Sequence, residues 1–281
     1  MSADHGVDKT SREETIVRLS AGYRAVAPGL LCLLLLALPA GAADIKVMIS
    51  AGFFSVYKEL SPAFEKSTGH RLLTTRGPSV GDSPEAIPTR LARGEEADAV
   101  IMDGVGVDLL DQRELTRAGS RIPLAESFIG MVVRAGQPKP DIGTMDGLRS
   151  ALLAAKSIAV SDSSSGTYLS TIGFKKLGVD GDIAGKTRKV RGPPSGEVVA
   201  AVVARGEAEI GFQQVPELIH VPGVDFVGTV PPDVQPPTLY VGALPKNSQQ
   251  PDAAIVLMRF LSSAEAADVI AKAGLKPLQT R

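Results

Sequence analysis

The strongest constraint on this chain is a repeated switch from a short apolar strand to an amphipathic helix, with Gly, Ser or Pro at most of the switches. Residues 45–50 read as a strand, and Phe53, Val56, Tyr57, Leu60 and Phe64 then recur at helical spacing. The pattern repeats with a strand over 71–75, a helix over 87–93, a strand over 97–102 and a helix over 105–118. After a strand at 128–134 and a Gly/Pro loop at 136–140 come helix 144–154, strand 157–160 and helix 166–177. Strand 187–191, helix 196–205 and strand 208–212 continue it, residues 230–237 read as a crossover, and helices over 251–262 and 264–273 follow. Alternation of this kind predicts α/β architecture with mostly parallel sheets flanked by helices. In such sheets ligands sit beyond the carboxyl ends of the strands.

The amino terminus bears on the compartment. Residues 30–38 form an apolar run behind Arg18 and Arg24, and Ala40-Gly41-Ala42 fits a signal-peptidase site. The run is too short to span a bilayer. The expectation is a signal peptide over 1–42, a mature chain of 43–281 and a periplasmic location. Cys32, the single cysteine, falls in that leader, so the mature chain is expected to carry no disulfide or thiol chemistry. The 30 Lys plus Arg nearly balance the 31 Asp plus Glu, which counts against nucleic acid or an acidic membrane as partner. Aromatics at 4% with no Trp count against a sugar or large aromatic ligand.

The candidate site residues share one position, the end of a strand running into a helix. Gly52 and Phe53 follow the first strand, and Arg76, Gly77 and Ser79 the second, with Asp82 just beyond. Ser164, Ser165, Gly166 and Thr167 open the helix after strand 157–160, where unpaired N–H groups and hydroxyls make an oxyanion or carboxylate cradle. Serine and threonine are also ordinary N-caps, so that loop alone leaves both readings open. Arg76 suits a bidentate grip on a carboxylate, with a surface ion pair as the plain alternative. Ser195 and Gly196 precede a helix, and Gln213 and Gln214 end the strand after it. His5, His70 and His220 are isolated and give no metal-ligand spacing. There is no phosphate loop, dinucleotide fingerprint or Gly-x-Ser-x-Gly elbow, and neither metal nor cofactor is expected.

Several segments together carry a resemblance: Ala43-Asp44-Ile45-Lys46-Val47, Phe64-Glu65-Lys66-Ser67-Thr68-Gly69-His70, Arg90-Leu91-Ala92-Arg93-Gly94-Glu95-Glu96-Ala97-Asp98, Ser165-Gly166-Thr167-Tyr168, and Ala204-Arg205-Gly206-Glu207-Ala208-Glu209-Ile210-Gly211. In these the chain resembles the periplasmic molybdate-binding family of extracellular solute-binding proteins. That resemblance implies a type II periplasmic-binding fold: lobe one over 43–125 plus 237–281, lobe two over 126–236, and a two-strand hinge. It implies a monomer that clamps a small anion and serves an ABC-transporter permease. The chain departs from the family where molybdate binds: Gly52 stands at the position of a serine, Gln214 at that of a late tyrosine, and Arg76 enters the second loop. Those changes point to a small organic carboxylate. The first expectation is therefore a periplasmic receptor for such an anion. The second is a cofactor-free isomerase, because Gly77-Pro78-Ser79 and Gly211-Phe212-Gln213-Gln214 resemble a branch that includes aconitate isomerase. A molybdate or tungstate receptor is the third. For the isomerase, Glu197, Asp82 and Tyr168 are the candidates to move a proton.

Overall fold

The computed structural model describes residues 41–278, so the expected signal segment lies outside the described residues except for Gly41 and Ala42. Two mixed sheets flanked by helices make an α/β fold. Strands β1 (Asp44–Ile49), β2 (Arg71–Arg76), β3 (Ala99–Asp103), β4 (Ile122–Ser127), β10 (Thr238–Ala243) and β11 (Lys276–Pro277) form the first, in the order β11-β4-β10-β3-β1-β2. Strands β5 (Ile129–Arg134), β6 (Ile158–Ser161), β7 (Thr187–Val190), β8 (Ile210–Gln214) and β9 (Val224–Thr229) form the second, in the order β7-β6-β8-β5-β9.

Parallel pairing is confined to the strand–helix–strand repeats. β1 runs parallel to β2 and β3, and β6 parallel to β7 and β8. β10 is antiparallel to β3 and β4, and β5 is antiparallel to β8 and β9. Mostly parallel sheets were expected. The difference arises at the crossings, where a strand enters the other sheet without a helical return and nothing imposes a parallel direction.

The crossings hold the two halves together. Only Phe128 separates β4 from β5, and residues 230–237 carry the chain back from β9 to β10. β4 keeps pairing with β10 as far as Ser127↔Thr238, so the chain changes sheets at Phe128. Gln235 ties the two crossings. Its Oε1 accepts from the Ile129 N–H at 2.7 Å, and its Nε2 donates to the carbonyls of Ile129 at 2.9 Å and Val230 at 3.0 Å. A buried amide with its hydrogen-bonding groups engaged is a rigid fastener.

Helices cover both faces of each sheet because the central strands are buried at successive positions, which face alternately to either side. Ile45, Val47 and Ile49 pack against Phe53, Val56, Tyr57, Leu60 and Phe64 of α1 (Ala51–Thr68). Gly69, with φ 75°, ends that helix, its N–H donating to the Glu65 carbonyl at 2.9 Å. On the other face Met48 and Met102 meet α2 (Ile87–Ala92) and α3 (Gly104–Gln112) through Ile87, Leu91 and Leu110. In the second half Ile158, Val160 and Phe212 pack on α4 (Met145–Ala154), α5 (Ser164–Tyr168), α6 (Phe174–Lys176) and α7 (Asp180–Ile183). Val132 and Ala159 pack on α8 (Val199–Ala204), while α9 (Pro251–Leu261) and α10 (Ala267–Lys272) complete the first half. A π-helical turn, Leu169–Gly173, joins α5 to α6, where the sequence predicts one unbroken helix. Among the described residues no helix is long and apolar enough to cross a membrane.

Candidate functional site

A cleft lies where the carboxyl ends of β1, β2 and β3 face those of β6, β7 and β8. The α1 N-terminus, Ser50-Ala51-Gly52, opens into it. Ser50 makes no side-chain cap, and its buried Oγ has no partner among the described residues. An uncapped helix start with an orphaned hydroxyl is a prepared anion site. The α5 start, at Ser163, likewise has no side-chain cap and lines the cleft, whereas two other helix starts are occupied. Asp103 Oδ1 accepts from the Gly106 N–H at 2.9 Å on α3, and Gln213 Oε1 accepts from the Val199 N–H at 2.8 Å on α8.

Tyr240 of β10 closes the floor. Its ring lies 6.1 Å from that of Phe53, and a Cβ placed on Gly52 would come within 1.7 Å of its Oη. Glycine is therefore required at 52, so that the helix start can approach the phenol. Burial holds the Tyr240 hydroxyl well above its usual range, as a neutral phenol.

Glu217 is the unusual charge. It sits on the 3₁₀ turn Val215–Glu217 after β8 and lines the cleft. Gln213 Nε2 donates to its Oε1 at 2.5 Å, and Oε2 has no protein partner among the described residues. One edge faces the cleft, yet the carboxyl lies deep within the protein, and depth governs its titration. Burial pushes it up to about 8, against the pull of the Arg76 guanidinium and the Gln213 hydrogen bond. Arg76 lies over the Phe54 ring, 4.1 Å from its centroid, and its buried Nε has no hydrogen-bond partner among the described residues. Burial lowers the Arg76 pKa, opposed by the charge of Glu217.

Two bonds close the cleft across the halves. Ser164 Oγ donates to Asp103 Oδ2 at 2.6 Å, and Arg191 Nη2 donates to Glu85 Oε2 at 2.8 Å. Closed in this way, the cavity leaves about 30 Å³ for the centre of a water molecule.

Of the residues expected from sequence, Gly52, Gly77, Ser79, Ser164, Ser165, Gln213 and Gln214 are brought together here. Arg76 does not line this cavity and reaches it through its charge, which acts on Glu217. The others lie elsewhere. Phe53 is in the core, fully buried beneath the helix start. Gly166 backs onto β6, where a Cβ would come within 1.8 Å of the Ser161 carbonyl oxygen. Thr167 and Asp82 flank a separate outer cavity with Lys189. Ser195 and Gly196 are exposed, because the 191–197 loop reaches the cleft through Gly192 and Pro193 instead. Tyr168 donates to the Val234 carbonyl at 2.8 Å and faces the cavity beside the crossings. Glu197 forms a two-pronged surface ion pair with Arg205, at 2.7 and 2.6 Å, which holds its carboxyl below the usual range. None of the three proton-transfer candidates lines the central cleft.

Sequence reasoning missed Glu217, Tyr240 and Asp103. Glu217 lies past a proline after β8, and Tyr240 lies on a strand hidden behind the Pro-rich crossover. The alternation in Thr238-Leu239-Tyr240-Val241 was the available signal. Among the described residues no group of three or more His, Cys, Asp or Glu side chains could hold a metal ion.

Two α/β halves, a double crossing and an anion-ready cleft between them define the two-lobed binding-protein class. Residues 45–276 match the family described as bacterial extracellular solute-binding protein, and the chain belongs to it. Aconitate isomerase of Pseudomonas sp is 47% identical over 234 residues, covering 83% of this chain and 88% of that protein. The molybdate-binding protein ModA of Azotobacter vinelandii is 26% identical over 242 residues, covering 84% and 91% respectively. Among solved structures, the Azotobacter vinelandii periplasmic molybdate-binding protein is similar with TM-score 0.65 at 20% identity, covering 84% of this chain and 100% of that one. The sulfate-binding protein SubI of Mycobacterium tuberculosis also gives 0.65 at 20% identity, covering 84% and 88%. At those identities the structural likeness shows the fold.

Proposed function

We propose that this protein is a periplasmic, cofactor-independent isomerase that interconverts cis- and trans-aconitate by an allylic proton shift. The observation that carries the reading is Arg76, a half-buried cation with an unpaired Nε and no ion-pair partner among the described residues. Such a guanidinium is satisfied by a ligand carboxylate in a forked bond. The uncapped α1 start and the free Ser50 hydroxyl supply donors for a second carboxylate. A tetrahedral oxyanion needs only one such cluster, whereas a polycarboxylate uses both. The 47% identity with aconitate isomerase across most of both chains supports the same substrate class.

A second reading, a receptor that delivers the carboxylate to an ABC transporter, is favoured by the family itself. One assay separates the two. The purified protein is incubated with trans-aconitate in large molar excess, and the isomer ratio is followed by chromatography. Conversion of many equivalents supports the isomerase. Binding without conversion refutes it and leaves the receptor.

A further inference from the structure

We infer that Glu217 is the catalytic residue that carries the proton between the two substrate carbons, and that Gln213 is its positioning residue. The inference rests on the isomerase reading above and assigns its acid–base group. A carboxyl group in an anion cleft is held neutral or charged by its surroundings, and one free oxygen beside the ligand donors is placed to exchange a proton with the bound molecule. Glu217 is such a group. It lines the same cavity as Ser50 and Gly52, with Oε1 held by Gln213 and Oε2 free of protein partners among the described residues.

Gln213 is fixed at both ends of its amide. Its oxygen accepts from the first N–H of α8 and its nitrogen donates to Glu217. That polarity lets it donate to the ionised form of Glu217, the form needed to accept a proton from carbon. The charged and titratable groups facing Glu217 are Arg76 on β2, Asp103 at the end of β3, Asp162 beyond β6 and Tyr240 on β10. Arg76 favours the carboxylate, while the two aspartates oppose it.

The step balances without an oxidant or reductant. Ionised Glu217 takes a proton from the substrate methylene carbon that lies between a carboxylate and the alkene. The electron pair of that C–H bond becomes the new double bond, and the old π pair moves toward the adjacent carboxylate as a dienolate. Arg76 and the α1 N–H groups hold the charge that accumulates there. The proton on Glu217 then passes to the former vinylic carbon. One C–H bond has broken, another has formed, and Glu217 is ionised again.

The test uses the full chain, trans-aconitate as probe, and the variants Glu217→Gln, Glu217→Asp and Gln213→Leu. Turnover is measured from about pH 6 to about pH 9.5, with ligand affinity by calorimetry and folding by circular dichroism. Wild-type turnover is expected to fall as the medium is acidified. Glu217→Gln is expected to lose at least about a hundredfold in kcat while still binding trans-aconitate. Glu217→Asp should keep a fraction of the rate with its acid limb at a different pH. Gln213→Leu should move that limb to higher pH, a change that a merely structural role would not produce. Substrate deuterated at the methylene should deliver deuterium to the product carbon above the level set by exchange with solvent. A wild type that converts aconitate beside a Glu217→Gln variant retaining more than about a tenth of its rate overturns the assignment and leaves the isomerase reading intact. A wild type that binds aconitate without converting it overturns both. If Glu217→Gln does not fold, an unmoved acid limb in both Glu217→Asp and Gln213→Leu overturns the assignment.

Discussion

Replacing Glu217 by Gln is expected to change how stability depends on pH, apart from any effect on turnover. The Glu217 carboxyl is pushed from 4.5 up to about 8 in the folded protein. Between those values the folded protein holds a proton that the unfolded chain has released. Stability therefore falls as pH rises through this window, by up to about 1.4 kcal/mol per pH unit. It is full below the unfolded pKa and lost by the time the pH passes the folded one. From about pH 5 to about pH 8 the limit is about 4 kcal/mol, and access of water from the cleft reduces it to about 2–4 kcal/mol. Glutamine does not titrate, so the variant lacks this slope.

The window isolates the effect. The carboxyls of Glu85 and Glu197, which arginine partners hold below the usual range, act at lower pH and in the opposite direction. The assay is urea denaturation of wild type and variant at about pH 5.5 and about pH 8.5, comparing midpoints at equal m-value. The variant should gain about 2–3 kcal/mol on wild type between the two conditions. A gap between the two proteins that stays constant within about 0.5 kcal/mol would falsify the claim that Glu217 is folded as a protonated acid.

Other substitutions test the rest of the site. Arg76→Ala should weaken trans-aconitate binding by about 10- to 100-fold, the worth of a charged hydrogen-bonded contact, and unchanged affinity removes Arg76 from the site. Gly52→Ala places a methyl against the Tyr240 hydroxyl and should destabilise the protein by about 1–3 kcal/mol, read as a lower melting temperature with ligand binding lost. Ser164→Ala removes a bond that closes the cleft, so the unliganded protein should become more expanded in solution scattering; an identical profile refutes that role. Glu197→Gln should leave turnover unchanged, since its carboxylate pairs with Arg205 on the surface; a loss of rate would contradict that placement.

Strand–helix alternation made most of the fold legible. The stripe Phe53, Val56, Tyr57, Leu60, Phe64 and the alternation in β1 predict the first layer as it stands. The 230–237 crossover was legible from its prolines, but the crossing at Phe128 and strands β4, β9 and β10 were hidden, because these strands lie beside a sheet change and lack the following helix that marks the other strands. Those segments carry Tyr240 and fasten the halves through Gln235. At the site, the rule that ligands sit at strand ends located Gly52, Gly77, Ser79, Ser164, Ser165, Gln213 and Gln214. It failed to separate side chains that face the cleft from those that face away. Glu197 and Glu217 look equally plausible as acids near a helix or turn, and the difference lies in their partners. Glu197 has Arg205 within reach at the surface, whereas Glu217 lies among Gln213, Tyr240 and a distant Arg76. Local sequence does not encode that contrast, since it depends on which half each loop meets.

The size of the closed cavity sets a requirement on any turnover. About 30 Å³ of space for water centres admits one or two waters, while a tricarboxylate has roughly a dozen heavy atoms. Entry therefore needs the halves to part about the crossings at Phe128 and 230–237. The contacts across the halves include the Ser164–Asp103 bond, the solvent-screened Arg191–Glu85 pair, the bond from Gln214 Nε2 to Thr238 Oγ1 at 3.0 Å, and a 3.1 Å contact between His220 Nε2 and the Lys272 carbonyl oxygen. Asp103 and Glu85 supply two of those closures, and a substrate carboxylate entering near Ser164 meets the same donor that Asp103 occupies. Opening and ligand entry are thus coupled through one hydroxyl. For a receptor, a tight closed state is sufficient. For an enzyme the product must leave each cycle, so the halves have to part once in every turnover.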